Sequence, residues 1–188
     1  NYRLTSNVLK TMQNNRRIFL QQASLLSAIT VIPSFRWLSS QNHNFKMCLN
    51  SDSIGLEVNQ LEAMKLATEY GFNAMTVHLN EMINMDASER MDFVAQMKSK
   101  GISWGSTNLP IEFRASEKTF RDALDALPRK AAVLQEIGGT RMNTWIMPTH
   151  KTLTYLENFE QHRDRLQKVA NVLGHYGIRL GLEYVGPK

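Results

Sequence analysis

The sequence predicts an α/β fold of the (βα)8 TIM-barrel type, truncated to about four βα units plus a fifth strand. Three observations predict it. From Phe45 onward, short β-branched or aromatic runs alternate with longer amphipathic ones, the pattern of a parallel sheet covered by helices. Those runs begin at 45, 74, 102, 141 and 178, intervals of 29, 28, 39 and 37 residues, close to the repeat of an eight-fold βα barrel. No Gly-x-Gly-x-x-Gly follows the first run, so the alternative of an open doubly wound sheet binding a dinucleotide has no support.

The elements follow in order. Strands are expected over 45–50, 74–79, 102–109, 141–148 and 178–185. Asp86-x-x-Glu89 before Met91 reads as a capping box that starts one helix, and Ser116 as the cap of the next. Phe120, Leu124, Leu127, Ala131 and Leu134 line one helical face, although Pro128 is expected to break or kink it, because proline removes an amide donor and crowds the preceding turn. Phe159, His162, Leu166, Val169, Leu173 and Tyr176 step by three and four residues and mark the clearest helix; His162 and His175 on it read as structural. Gly71, Gly101, Gly139 and Gly177 stand where helices end, a place suited to left-handed backbone.

Charge divides the chain. The whole carries 22 basic and 17 acidic residues, yet residues 1–44 hold Arg3, Lys10, Arg16, Arg17 and Arg36 without an acid, so the body from 45 to 188 is neutral. A neutral body argues against a phosphate-binding surface spread over the fold, and hence against nucleic acid as partner. No apolar run reaches the length of a membrane span. The lone Cys48 offers neither an internal disulfide nor a cysteine-based metal site, so a metal here would need His and carboxylate ligands. The chain opens on Asn1, its first methionine is Met12, and it ends at Gly186-Pro187-Lys188, where a loop would begin; it reads as a piece of something longer, or as a chain whose start is misplaced.

In the leader, Asn15-Arg16-Arg17-Ile18-Phe19-Leu20-Gln21 precedes a mildly apolar stretch, Ala23 to Phe35. This resembles the twin-arginine signal family, which implies export of the folded protein to the periplasm. The other reading of the segment is a basic amphipathic helix, Arg17 through Leu26, on the folded body or a membrane surface, which leaves the protein cytoplasmic.

Several residues are candidates for chemistry. Glu183 lies in the apolar run Leu180-Gly-Leu-Glu-Tyr-Val185, at the carboxyl end of the last strand, the end at which barrels carry their active sites; the alternative is an ion pair with a neighbour such as Arg179. His78, closing the second strand, suits a substrate hydroxyl or a metal, or is simply hydrogen-bonded within the fold. Glu112 and Arg114, after the third strand, either hold a polar or anionic substrate or form a solvated loop pair. Trp145 either packs on the apolar face of a sugar ring or fills the barrel, and His150 is a further candidate for the mouth.

Two segments, Arg141-Met-Asn-Thr-Trp-Ile-Met-Pro148 and Tyr176-Gly-Ile-Arg-Leu-Gly-Leu-Glu-Tyr-Val-Gly-Pro187, resemble the fourth and fifth strands of the xylose isomerase-like barrels. Leu66-Ala-Thr-Glu-Tyr-Gly-Phe-Asn-Ala-Met75 is similar to that family's first helix and second strand, so the resemblance covers 45–188. It implies a sugar or sugar-phosphate isomerase or epimerase working by metal-assisted proton transfer through an enediolate, with Glu183 as divalent-metal ligand and base. It also implies Mn, Mg, Co or Zn in the full-length protein, with an Asp, a His and a second Glu from later strands, so that this portion alone is not expected to hold the ion. A small sugar or polyol is the expected partner, and a homo-oligomer is left open. Two rivals stay open: a metal-dependent phosphodiester hydrolase like the endonuclease IV branch, disfavoured by the neutral body and few strand-end histidines, and a non-catalytic binding module or fragment.

Overall fold

The computed structural model describes residues 45–186. Residues 1–44, over which an export signal is expected, lie outside them. All strand pairing among the described residues is parallel, in two three-stranded sheets. The first is β1 (Cys48–Leu49), β2 (Ala74–Met75) and β3 (Ser103–Trp104); the second is β4 (Thr107–Asn108), β5 (Arg141–Ile146) and β6 (Arg179–Tyr184). The stretch expected as one strand over 102–109 is therefore two, β3 and β4, separated at Gly105-Ser106. Backbone contacts carry the wall across the break: the Gly105 amide donates to the Met75 carbonyl (2.8 Å), and the Val77 amide to that of Ser106 (3.2 Å). A Cβ on Gly105 would run into the Cys48 sulfur and stand 3.3 Å from the Met75 carbonyl, so only glycine lets the two strands come this close.

Five α-helices alternate with the strands: α1 (Gln60–Glu69), α2 (Leu79–Asn84), α3 (Ala87–Ser99), α4 (Glu117–Glu136) and α5 (Tyr155–His175). Side chains cap the starts of four of them, all but α2. Asn59 with Glu62, Asp86 with Glu89, and Thr154 with Glu157 form capping boxes, and Ser116 accepts from the Thr119 amide. Gly71, Gly101 and Gly177 take positive φ as expected, but after α4 the left-handed residue is Gly138, not Gly139. Gly139 is constrained differently, since a Cβ there would meet the side chain of Leu134.

Pro128 does not end α4, which runs unbroken for 20 residues. Leu127, Ala131 and Leu134 on its inner face are fully buried. Their burial, on the order of 1.5–3 kcal/mol for each large side chain, exceeds the roughly 3 kcal/mol that an internal proline costs. The core against which they pack is rich in methionine: Met64, Met75, Met82, Met97 and Met142 are all closed to solvent. Phe159, expected on the buried face of α5, is instead 52% exposed.

The register of β5 with β6 sorts their side chains onto two faces. Asn143 pairs with Gly181 and Trp145 with Glu183 on one face; Met142, Thr144 and Ile146 pair with Leu180, Leu182 and Tyr184 on the other. The second face looks toward α5, where Ile146, Leu180, Leu182 and Tyr184 join Tyr155, Phe159 and Leu166 along an apolar groove of about 560 Å³. The first is the inner face of the wall, because it carries Asn143 into a polar cleft at the carboxyl ends of the strands.

Candidate active site

That cleft encloses about 380 Å³ and is formed by the segments that follow β1 and β2 together with β4 and β5. The carboxyl ends of parallel strands are where α/β folds place their ligands, since the loops there diverge from a rigid wall. The volume is at the small end of the range for small-molecule sites.

His78 sits at its centre, just before α2, and its side chain is only 12% exposed. Its Nδ1 lies 3.0 Å from Glu81 Oε1, while Nε2 lies 3.3 Å from the buried Ser51 hydroxyl and 3.9 Å from Asp52 Oδ1. A carboxylate accepting from Nδ1–H fixes the tautomer that leaves Nε2 with a free lone pair, the state in which imidazole takes a proton or a hydroxyl hydrogen bond. The pair is itself held from below. Glu81 Oε2 accepts from the Gln60 backbone amide (2.8 Å) at the first turn of α1, where an anion is favoured. The Gln60 side chain, fully buried, accepts from the His78 amide (2.6 Å) and donates to the Thr76 carbonyl (3.1 Å).

A second cluster lies on the inner face nearby. Glu112 binds Arg114 through two contacts, 2.7 Å to Nε and 2.8 Å to Nη2, and the Arg114 guanidinium lies 3.7 Å above the Trp145 ring. The Arg114 contact, acting against partial burial, holds the Glu112 carboxyl below the usual range. The loop bearing both is clamped by the buried Arg165 of α5, which donates to the carbonyls of Phe113 (2.8 Å) and Ala115 (2.7 Å) and to Glu117 (2.9 Å).

The structure therefore distributes the residues singled out by sequence. His78 lines the cleft; Glu112, Arg114 and Trp145 form one stacked unit beside it; Glu183 is in register with Trp145 on the same face. Trp145 is 40% exposed and does not fill the barrel, and one of its ring faces is already taken by Arg114. Glu112 and Arg114 are a stacked ion pair, not a freely solvated one. Glu183 is exposed and makes no hydrogen bond or ion pair among the described residues, so neither burial in an apolar strand nor a bridge to Arg179 describes it. His150 stands apart from the cleft, its Nδ1 accepting from the Thr152 and Leu153 amides (3.1 and 3.0 Å) in the turn before α5. Glu81 and the cleft residues Asn50, Asn80, Asn108 and Asn143 were not singled out from the sequence; the i, i+3 spacing of His78 and Glu81 was the available signal.

No group of three or more His, Cys, Asp or Glu side chains that could hold a metal ion occurs among the described residues. Glu183 alone does not make a divalent-cation site. No helix among the described residues is long and apolar enough to cross a membrane.

A parallel βα wall with its polar cleft at the strands' carboxyl ends is the architecture of the xylose isomerase-like TIM barrels, and the comparisons with solved structures agree. A xylose isomerase domain protein from Alicyclobacillus acidocaldarius superposes with a TM-score of 0.62 and 25% identity, over 76% of this chain and 51% of its own. The IOLI protein, crystallised with a bound zinc atom, gives 0.63 and 16% over 75% and 52%. A 3-keto-D-glucoside 4-epimerase from E. coli gives 0.57 and 17% over 73% and 55%. The chain thus spans about half the length of these neighbours. No family model matches it, and no curated protein does.

Proposed function

We propose that this chain is the amino-terminal part of a sugar or sugar-phosphate isomerase or epimerase, which moves a proton on the carbon beside a carbonyl by way of an enediolate. The observation that carries this reading is the His78–Glu81 pair in the cleft: an imidazole oriented by a carboxylate, whose Nε2 exchanges its 3.3 Å contact with the Ser51 hydroxyl for a hydroxyl of the substrate. Glu183, on the inner face at the end of β6, is the carboxylate that takes the proton from carbon and returns it, and in the longer protein it would contribute to a divalent-ion site completed by later strands, where the ion would stabilise the enediolate charge. A sugar or polyol is the substrate, and its ring borders the Arg114–Trp145 stack. The leader over 1–44 carries the export signal, so a reporter fused after residue 44 leaves the cytoplasm, and replacing Arg16 and Arg17 with lysine retains it.

The test is solvent-deuterium exchange into a ketohexose by the full-length protein, followed by proton NMR with Mn²⁺ or Co²⁺ present. Deuterium entering at the carbon beside the carbonyl, and lost in Glu183→Gln and in His78→Gln, is the expected result. Exchange that survives both substitutions would remove these residues from the reaction. Cleavage of abasic DNA in place of exchange would assign the protein to the phosphodiester hydrolases.

A further inference from the structure

The geometry points to a cleft that accepts an uncharged polyhydroxylated ligand and discriminates against the phosphate ester of the same ligand. This deepens, and rests on, the assignment to sugar chemistry. The cleft walls are built from Asn50, Asn80, Asn108 and Asn143 with Ser106 between them. A primary amide offers two donors and an acceptor, so a ring of amides matches vicinal hydroxyls, each of which donates once and accepts. The one contact between these amides, Asn143 Nδ2 to Asn108 Oδ1, is long at 3.4 Å, which leaves most of their capacity for a ligand.

The charge in the cleft is negative. Asp52 and Glu81 line it together with His78, and among the described residues no lysine or arginine does. Of the cations elsewhere on this wall, Arg114 spends Nε and Nη2 on Glu112 and lies against Trp145, Lys46 donates to Ser103 at the opposite end of the strands, and Arg141 and Arg179 stand at that same far end, opening β5 and β6. The amino end of α2, which opens on the cleft, already has Glu81 in its first turn. A phosphate dianion entering here would face two carboxylates and find no counter-charge, whereas a neutral polyol pays no such penalty and finds the amides.

The matched probes are D-fructose and D-fructose 6-phosphate, titrated separately into the chain at low ionic strength, with the asparagine side-chain amide signals and the His78 ring signals followed by NMR. The expected result is that fructose shifts the Asn108, Asn143 and His78 signals, while the ester binds at least ten-fold more weakly. The gap narrows in added salt and in Asp52→Asn, because both weaken the repulsion. Asn143→Leu with Asn108→Leu, verified as folded by circular dichroism, abolishes the fructose shift of the remaining His78 ring signals. An ester that binds as tightly as fructose, or more tightly, overturns the inference and leaves the assignment to sugar chemistry standing. A cleft perturbed by neither probe overturns both.

Discussion

Replacing Gln60 with leucine, which is of similar size, removes a fully buried side chain that makes two hydrogen bonds to backbone and a weaker one, 3.5 Å, from Nε2 to the Met75 sulfur. The His78 amide loses an acceptor at 2.6 Å, and the Thr76 carbonyl loses a donor at 3.1 Å. Each orphaned buried group costs about 1–3 kcal/mol, and leucine recovers part of this by apolar burial, so a net loss of about 3 kcal/mol is expected. For a chain of this size that corresponds to a melting temperature lower by roughly 6–12 °C. Gln60→Glu sharpens the argument through pH. The new carboxyl keeps an acceptor for the His78 amide but, when ionised, faces the Thr76 carbonyl and lies near Glu81, so its folded pKa is raised above the unfolded value of about 4.3. Its neutral form donates to Thr76; the variant is therefore closest to the parent below about pH 4.3 and loses stability as pH rises through the raised folded value. Urea unfolding of the three proteins between pH 4 and 8 measures this. If Gln60→Leu falls within about 0.5 kcal/mol of the parent, or if Gln60→Glu shows no pH dependence beyond the parent's, the hydrogen-bonded support of His78 is not what holds this corner together.

Three further outcomes are expected. Glu183→Gln changes stability by no more than about 0.5 kcal/mol, since the carboxylate is exposed and makes no ion pair among the described residues; a fall of several degrees in thermal melting would mean that it is structurally paired. Gly105→Ala costs about 1–3 kcal/mol because its Cβ meets the Cys48 sulfur and the Met75 carbonyl, and Cys48→Ala in the same chain recovers part of the loss in a double-mutant cycle of unfolding energies. Glu112, with its pKa held down by Arg114, contributes stability that is present above the unfolded pKa and is lost as pH falls through the folded one. The amount is under about 1 kcal/mol for so exposed a pair, and Arg114→Ala removes this acid dependence.

What could be read from the sequence was local or periodic. Asp86 with Glu89 and Ser116 act as caps because a capping residue needs only its own next three neighbours. The alternation of strands and helices survives because each strand's hydrophobic run is set by burial on both sides of a parallel sheet. Pro128 misled because the cost of proline is local, whereas the burial of Leu127, Ala131 and Leu134 that outweighs it comes from distant chain. The Trp145–Glu183 pairing and the Arg114 stack depend on register and on a loop clamped by Arg165, which no spacing reveals. Glu81 was hidden by reading 74–79 as a strand; β2 ends at Met75, and the turn of helix beginning at Leu79 is what brings Glu81 back onto His78.

Glu81 serves two masters with its two oxygens, one bonded to the His78 ring and the other to the first amide of α1. Recognition in the cleft and the docking of α1 are thereby made one cooperative event. A ligand that draws on His78 steadies Glu81, and with it the amide of Gln60, some distance from any contact with the ligand itself. The slowing of hydrogen exchange at the start of α1 would then report occupancy of the cleft, and a helix whose own residues stay clear of the ligand becomes the gauge of whether it is bound.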